Sequence, residues 1–228
     1  MDRIFIPTRE PEDWKSLLAE PNKQWKRGCS AKALAYCWQE ANDFPECVRN
    51  VFKKSGIELF RNIKLLLAFP EYKVALPGGA RPSQNDIFIL AKGNNQLVSI
   101  MVEGKVSEPF GDTIAEWRKD DSAGKDVRLK FLLEELGLEE NEPISTIRYQ
   151  LLHRTASAII EAKRFKAENA LMLVHSFSRS HEWFDDYSRF LALFSVKAEL
   201  DSLVFAKNIN GISLFFGWVK GDKKYLDK

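Results

Sequence analysis

The chain has little of what usually announces a chemistry outright. Its three cysteines, Cys29, Cys37 and Cys47, are odd in number, lack C-x-x-C spacing and have no histidine nearby in sequence. Neither a disulfide framework nor a zinc site is expected, and reduced, partly buried thiols are. No serine or cysteine stands in a nucleophile-elbow context, so His175 and His181 are not read as triad bases. His175 falls inside the apolar run of residues 169–177, where a hydrogen-bonded core imidazole is the simpler reading. P-loop and dinucleotide fingerprints are absent, and Gly78-Gly79 reads as a turn. Apolar runs such as residues 65–69 fall far short of the ~20 residues needed to cross a bilayer. The opening MDRIFIPTREPEDW has early acidic residues and no apolar h-region, so it is not a signal peptide. A cytoplasmic protein without a membrane segment is the expectation. Charge of one sign is lacking too: Lys and Arg number 34 against 32 Asp and Glu, a net charge of +2. Any phosphate-binding surface must therefore be local.

What is present is enough apolar sequence, 45% of 228 residues, to bury a sizeable core. The pattern suits one compact domain, with residues 1–56 as a helical lead-in packed on a core of residues 57–228. Ile4-Phe5-Ile6 reads as a short strand or extended arm. Ser30 is placed to cap a helix burying Leu34, Cys37 and Trp38, and Pro45 to open another burying Val48, Val51 and Phe52. Residues 57–68 read as a buried helix leading into a strand at 72–76. A long helix is expected from Ser145 to about Phe165, a buried strand over 169–177, a helix from Phe184 and a last strand over 211–219. The basic loop around Trp25 reads as a packed aromatic before it reads as a phosphate contact.

Residues 83–105 are different. Two apolar runs flank Gly93-Asn94-Asn95, a hairpin signature. If Asn94-Asn95 is a two-residue loop, facing residue numbers sum to 189, so Asp86 lies opposite Glu103, with Lys105 on the same face. Facing carboxylates repel, and a divalent cation removes the objection: Mg²⁺ or Mn²⁺ is commonly held by one or two carboxylates with water and phosphate. Lys105 then stands where it can orient a water or stabilise charge on a phosphorane-like transition state. Acid-x-Lys occurs five times in the chain, but only Glu103/Lys105 joins an apolar strand to an Asp on a hairpin partner.

The arrangement Asn85-Asp86, sixteen residues, Glu103-Gly104-Lys105 resembles the PD-(D/E)XK, or restriction-endonuclease-like, nuclease superfamily, in a bacterial branch. Asn85 stands where that pattern usually has proline. Over about residues 57–177 the resemblance implies an α/β fold with a mixed sheet flanked by helices, an α-β-β-β-α-β core, here with an N-terminal helical extension. It also implies a metal-dependent nuclease, acting on DNA in preference to RNA. Asp86 and Glu103 would be the metal ligands and Lys105 their catalytic partner. Gln150 and Arg154, one helical turn apart in QLLHR, could reach a phosphate or a site carboxylate. Glu58 and Glu108 are candidate supporting acids, although Glu58 could equally pair with Arg61. The alternative is a nuclease-fold module without catalysis that binds nucleic acid or protein. Oligomeric state is left open, a homodimer included.

Overall fold

Asn94 and Asn95 both adopt positive φ, 46° and 62°. Two successive left-handed residues are what a tight two-residue hairpin turn requires, because its twist then matches that of the strands. The turn sets the register. Gly93 pairs with Gln96 and Ile87 with Val102, so facing numbers do sum to 189. Everything else is assembled around this hairpin in a computed structural model that describes residues 8–120, 122–140 and 142–228. Residues 4–6 lie outside them.

After a 3-10 turn at Pro11–Leu17 come helices α1 (Pro21–Gln24), α2 (Ser30–Gln39), α3 (Glu46–Lys54) and α4 (Glu58–Arg61). Strands β1 (Lys64–Val74), β2 (Ser83–Gly93) and β3 (Gln96–Lys105) follow. Helices α5 (Ile114–Trp117), α6 (Ala123–Leu136) and α7 (Tyr149–Phe165) lead to β4 (Asn169–Ser176), α8 (Phe184–Ala192), β5 (Ser202–Ile209) and β6 (Ile212–Lys220). The six strands form one mixed sheet in the order β1-β2-β3-β4-β6-β5. The first three are an antiparallel meander, β4 joins parallel to β3 and to β6, and β5 closes the far edge antiparallel.

Two expectations are corrected and one strand is added. Residues 57–68 are not one helix: α4 ends after a single turn, and Leu65 and Ala68 pair with Ala91 and Ile89 across a bulge. A short apolar run such as Leu65-Leu66-Leu67-Ala68 has no period of its own, and strand pairing decides it. Ser202–Ile209, passed over in the sequence, is a strand; as a half-covered edge element it alternates poorly. The long helix begins at Tyr149, because Glu142–Thr146 turns as a 3-10 segment and Arg148 bridges to Thr113.

Alternation along the hairpin gives the sheet two faces. Phe88, Leu90 and Met101 pack with α6, α7 and α8, while Ile87, Ile89, Val98, Ile100 and Val102 pack with α2 and α3. The helix α7 buries an apolar stripe of Leu151, Leu152, Ala158, Ile159 and Ala162 and stops at Lys166, which takes left-handed φ. That docking lays the first turns of α7 over the open ends of β2 and β3.

Candidate active site

The pairing of Ile87 with Val102, continued one residue outward, sets Asp86 beside Glu103. Strand β1 adds an acid that sequence reasoning missed. Pro70 pairs with Ile87 and Tyr72 with Asn85, which brings Glu71 alongside Asp86. Adjacent strands lie ~4.8 Å apart, so Glu71, Asp86 and Glu103 stand in a row across three strands. Glu71 was visible only as one of five acid-x-Lys pairs. Its signal is in the backbone: φ is +51°, a left-handed conformation that costs a non-glycine residue about 1 kcal/mol or more. Gln84 Nε2 donates to Glu71 Oε2 at 2.6 Å and holds the side chain.

Each acid is held differently. The amide of Gly104 donates to Asp86 Oδ2 at 2.7 Å. A Cβ at position 104 would stand 3.3 Å from that oxygen and 3.2 Å from Leu34 Cδ2, so glycine is what lets the carboxylate and α2 approach β3 together. Glu103 is 2% exposed and lies between two cations. Lys105 Nζ donates to its Oε1 at 2.7 Å and Arg154 Nε to its Oε2 at 2.6 Å. Lys105 spends its other two donors on Gln150 Oε1, 3.0 Å, and the Pro109 carbonyl, 3.3 Å. Its ammonium also sits 4.7 Å over the Phe110 ring centre.

These groups floor a cleft of about 390 Å³ walled by Lys23, Gln24 and residues 28–31 on one side and Ser107, Glu108 and Pro109 on the other. Electrostatics divides the row. Burial pushes Asp86 up to about 7, reinforced by Glu103. Burial likewise pushes Glu71 up to about 8, with Asp86 adding to it. Burial would raise Glu103 as well, yet Arg154 and Lys105 outweigh it and hold that carboxyl at about 2. Three carboxylates thus face two cations, and the two unmatched acids carry protons near neutrality. Among the described residues no hydrogen bond reaches Asp86 Oδ1 or Glu71 Oε1. An all-oxygen donor set in which two carboxyls lack a counter-cation and can give up their protons to an ion fits a hard divalent cation such as Mg²⁺ or Mn²⁺.

Of the other expected residues, Gln150 and Arg154 come to the site, bound to Lys105 and Glu103. Arg154 is not a solvated helix flank; it is 7% exposed, and behind it Ser83, His153 and Ser157 form a buried hydroxyl-imidazole network. Burial, with Arg154 adding to it, lowers His153 well below its usual range and keeps it neutral. Glu108 lines the cleft wall, where it accepts from the amides of Ser30, Val106 and Ser107 and so ties the start of α2 to the end of β3. Glu58 is not part of the site: it is exposed and pairs with Arg61 at 3.0 Å, one turn along its own helix. Asn85 stands at the usual proline position; β2 runs through it in register with Tyr72, and its side-chain amide donates to the carbonyls of Tyr72 and Ser83 at 3.2 Å. Trp25 packs half-buried against the core, as expected of a packed aromatic.

The cysteines call for a correction. His175 is far from them in sequence, but the fold brings Cys37, Cys47 and His175 together on the other face of the sheet, with their donor atoms within 4.8 Å of one another.

The chain belongs to a family described as a domain of unknown function (DUF6946), whose profile matches residues 7–223. No curated protein and no solved structure matches it. No helix among the described residues is long and apolar enough to cross a membrane.

Proposed function

We propose that the chain is a metal-dependent phosphodiesterase of nuclease type, with DNA preferred to RNA, on a restriction-endonuclease-like core. The observation that carries this reading is the row of Glu71, Asp86 and Glu103 at the open end of the hairpin, with Lys105 beside it. The order β1-β2-β3, then α7, then β4 parallel to β3, supports the α-β-β-β-α-β core.

Asp86, Glu103 and Glu71 would hold Mg²⁺ or Mn²⁺, which when bound supplies charge neutralisation for a scissile phosphate and a more acidic water. The Lys105 ammonium, bonded to Glu103, would meet the negative charge that develops on phosphorus. To do so it gives up its bond to Gln150 or to Pro109, and a released Gln150 amide can turn to a phosphate oxygen. Arg154 acts through Glu103 as a positioning residue: its donated hydrogen bond fixes which way that carboxylate faces. The cleft wall at Lys23 and Gln24 is where a nucleic-acid backbone would lie.

One observation favours the second reading, a nuclease-fold module that binds nucleic acid or protein without cleaving it. Both oxygens of Glu103 and all three donors of Lys105 already have partners, which a purely structural ion network would also show. Cleavage of labelled single- and double-stranded DNA and RNA with Mg²⁺ or Mn²⁺ separates the two. Catalysis predicts that Asp86→Ala abolishes cleavage and metal binding together, while Lys105→Met keeps metal binding and loses on the order of 10²–10³ in rate. Equal rates for Lys105→Met and wild type would remove Lys105 from the mechanism. No cleavage of any substrate by wild type under these metals would leave the binding module.

A further inference from the structure

On the face of the sheet away from the carboxylate row, β4 carries His175 in register with Gly104 of β3. Helix α2 supplies Cys37 and Trp38, and α3 supplies Cys47. Two contacts of the imidazole decide its chemistry. Trp38 Nε1 lies 3.0 Å from His175 Nδ1, and an indole nitrogen can only donate, so Nδ1 is the nitrogen without a proton. A neutral ring then carries its proton on Nε2, which faces Cys47 Sγ at 3.4 Å and donates to it. A metal bound through Nε2 needs the opposite arrangement, a bare Nε2 with a proton on Nδ1. Trp38 therefore turns a cluster of soft donors away from metal binding and toward stabilising a sulfur anion.

We infer that Cys47 is a nucleophilic thiolate positioned by His175 and Trp38, with Cys37 as its resolving thiol, and that the pair reacts with hydroperoxides and soft electrophiles. Access is provided: Cys47 is half-buried and, with Cys37, lines a cleft of about 460 Å³. The electrostatics agree. A hydrogen bond from Cys37, opposed by burial and joined by one from His175, draws Cys47 down to about 4, while Cys37, the donor, is pushed upward. The charged and titratable groups around the pair are Glu40 beyond α2, Glu46 and Arg49 on α3, and Asp222, Lys224 and Tyr225 at the C-terminal turn.

The chemistry closes without a further reductant. The Cys47 thiolate attacks the outer oxygen of a hydroperoxide ROOH; the O–O bond breaks, RO⁻ leaves and takes the Cys37 thiol proton as ROH, and Cys47 becomes a sulfenic acid. The Cys37 thiolate so formed then attacks that sulfur, an S–S bond forms, and the departing hydroxide takes a proton from solvent to become water. Two thiols are oxidised by two electrons, and the hydroperoxide is reduced to an alcohol and water.

Iodoacetamide labelling of the native protein, with each cysteine read by peptide mass spectrometry, tests this. Cys47 should alkylate at a rate nearly constant from pH 6 to 8, whereas a free thiol such as glutathione, run alongside, should gain about tenfold per unit. Stoichiometric hydrogen peroxide should then give a Cys37–Cys47 disulfide. Trp38→Phe, checked for native circular dichroism, removes the donor that fixes the tautomer, and the Cys47 profile should regain a slope. His175→Gln keeps an amide donor near Cys47 and serves as a second variant if the Trp38 change unfolds the chain; its profile should lie between the two. A Cys47 rate that climbs tenfold per unit in wild type overturns the proposal. So does stoichiometric zinc in the purified protein, released by thiol-blocking mercurials and protecting both cysteines from label.

Discussion

Glu103 and Lys105 point from β3 toward α7, while His175, in register with Gly104 between them, points from β4 toward α2 and α3. The two clusters are thus back to back across a single layer of sheet, and they tolerate burial by different means. On the α7 face, formal charges neutralise one another: Glu103 between Lys105 and Arg154, with Glu71 and Asp86 left over and pushed toward their neutral forms. On the α2 face hydrogen bonds among mostly neutral groups run in one direction, from Trp38 through His175 to Cys47. The first arrangement has two carboxyls without a counter-charge and so has room for a cation that displaces their protons. The second ends on a sulfur and so has room for an electrophile. Helix α2 touches both, through Ser30 at Glu108 and through Cys37 and Trp38 two turns later.

The sharpest way to break this contrast is to remove the central carboxylate. Glu103→Gln leaves Lys105 and Arg154 buried with their main counter-charge gone, and should cost about 3–5 kcal/mol in urea denaturation. By contrast Cys47→Ser, on the other face, removes no formal partner of a buried ion. An equal loss for the two substitutions would mean that the ion network is not what holds the α7 face.

Next in size is the response to metal. At a hundredfold excess over Kd, binding should add about 2.7 kcal/mol, or roughly 5–10 °C in Tm for a chain of this length. Asp86→Asn should abolish that response while leaving the metal-free protein as stable as wild type or more so, because it removes a repelled acid rather than a paired one. Melts with Mg²⁺, Mn²⁺ and EDTA check both, and a metal response that survives Asp86→Asn would put the cation elsewhere.

Acid and base should then act in opposite directions within the same row. Asp86 and Glu71 are raised, to about 7 and about 8, so the stability they contribute is full below pH ~4 and is lost as pH rises through 7–8. Glu103, held at about 2, contributes stability above pH ~4.5 that is lost as pH falls toward 2. In EDTA, Tm should therefore decline from pH 5 to 8.5. Saturating Mg²⁺ should flatten the decline, since the ion replaces the protons. A Tm that climbs across that range in EDTA would contradict the presence of two unmatched, raised acids.

The smallest expected effect sits at Glu71. Glu71→Gly takes away a carboxyl from the row and supplies the one residue that accepts φ near +51° without strain, offset by the entropy glycine adds to the unfolded chain. A gain of about 0.5–1 kcal/mol at pH 8 in EDTA, together with weaker metal binding in calorimetric titration, is expected. A loss of stability would show that the Gln84 hydrogen bond matters more than the strain.

Much of this was written locally. The Asn94-Asn95 turn fixed a register, the register placed Asp86 beside Glu103, and period-two alternation put Lys105 with them; each step depends only on neighbours in sequence. Helices with firm signals were legible for the same reason, α3 from Pro45 and α6 from Gly137, whose φ of +58° ends it. Glu71 was not legible, because the row needs β1 in register with β2, and the run Leu65-Leu66-Leu67-Ala68 has no periodicity that says strand. Arg154 was legible as a residue facing the site but not as a buried one, since an i,i+4 spacing gives a side and not a depth.

What the sequence determined alone was therefore one hairpin, its two faces and the helices with strong caps, because those interactions close within a few residues. What only the tertiary structure decided was every meeting across long separations: Glu103 with Arg154, 51 residues apart, and Cys47 with His175, 128 apart. No local pattern encodes such meetings. They follow from which sheet face each helix covers, and that is settled by burying two apolar surfaces at once.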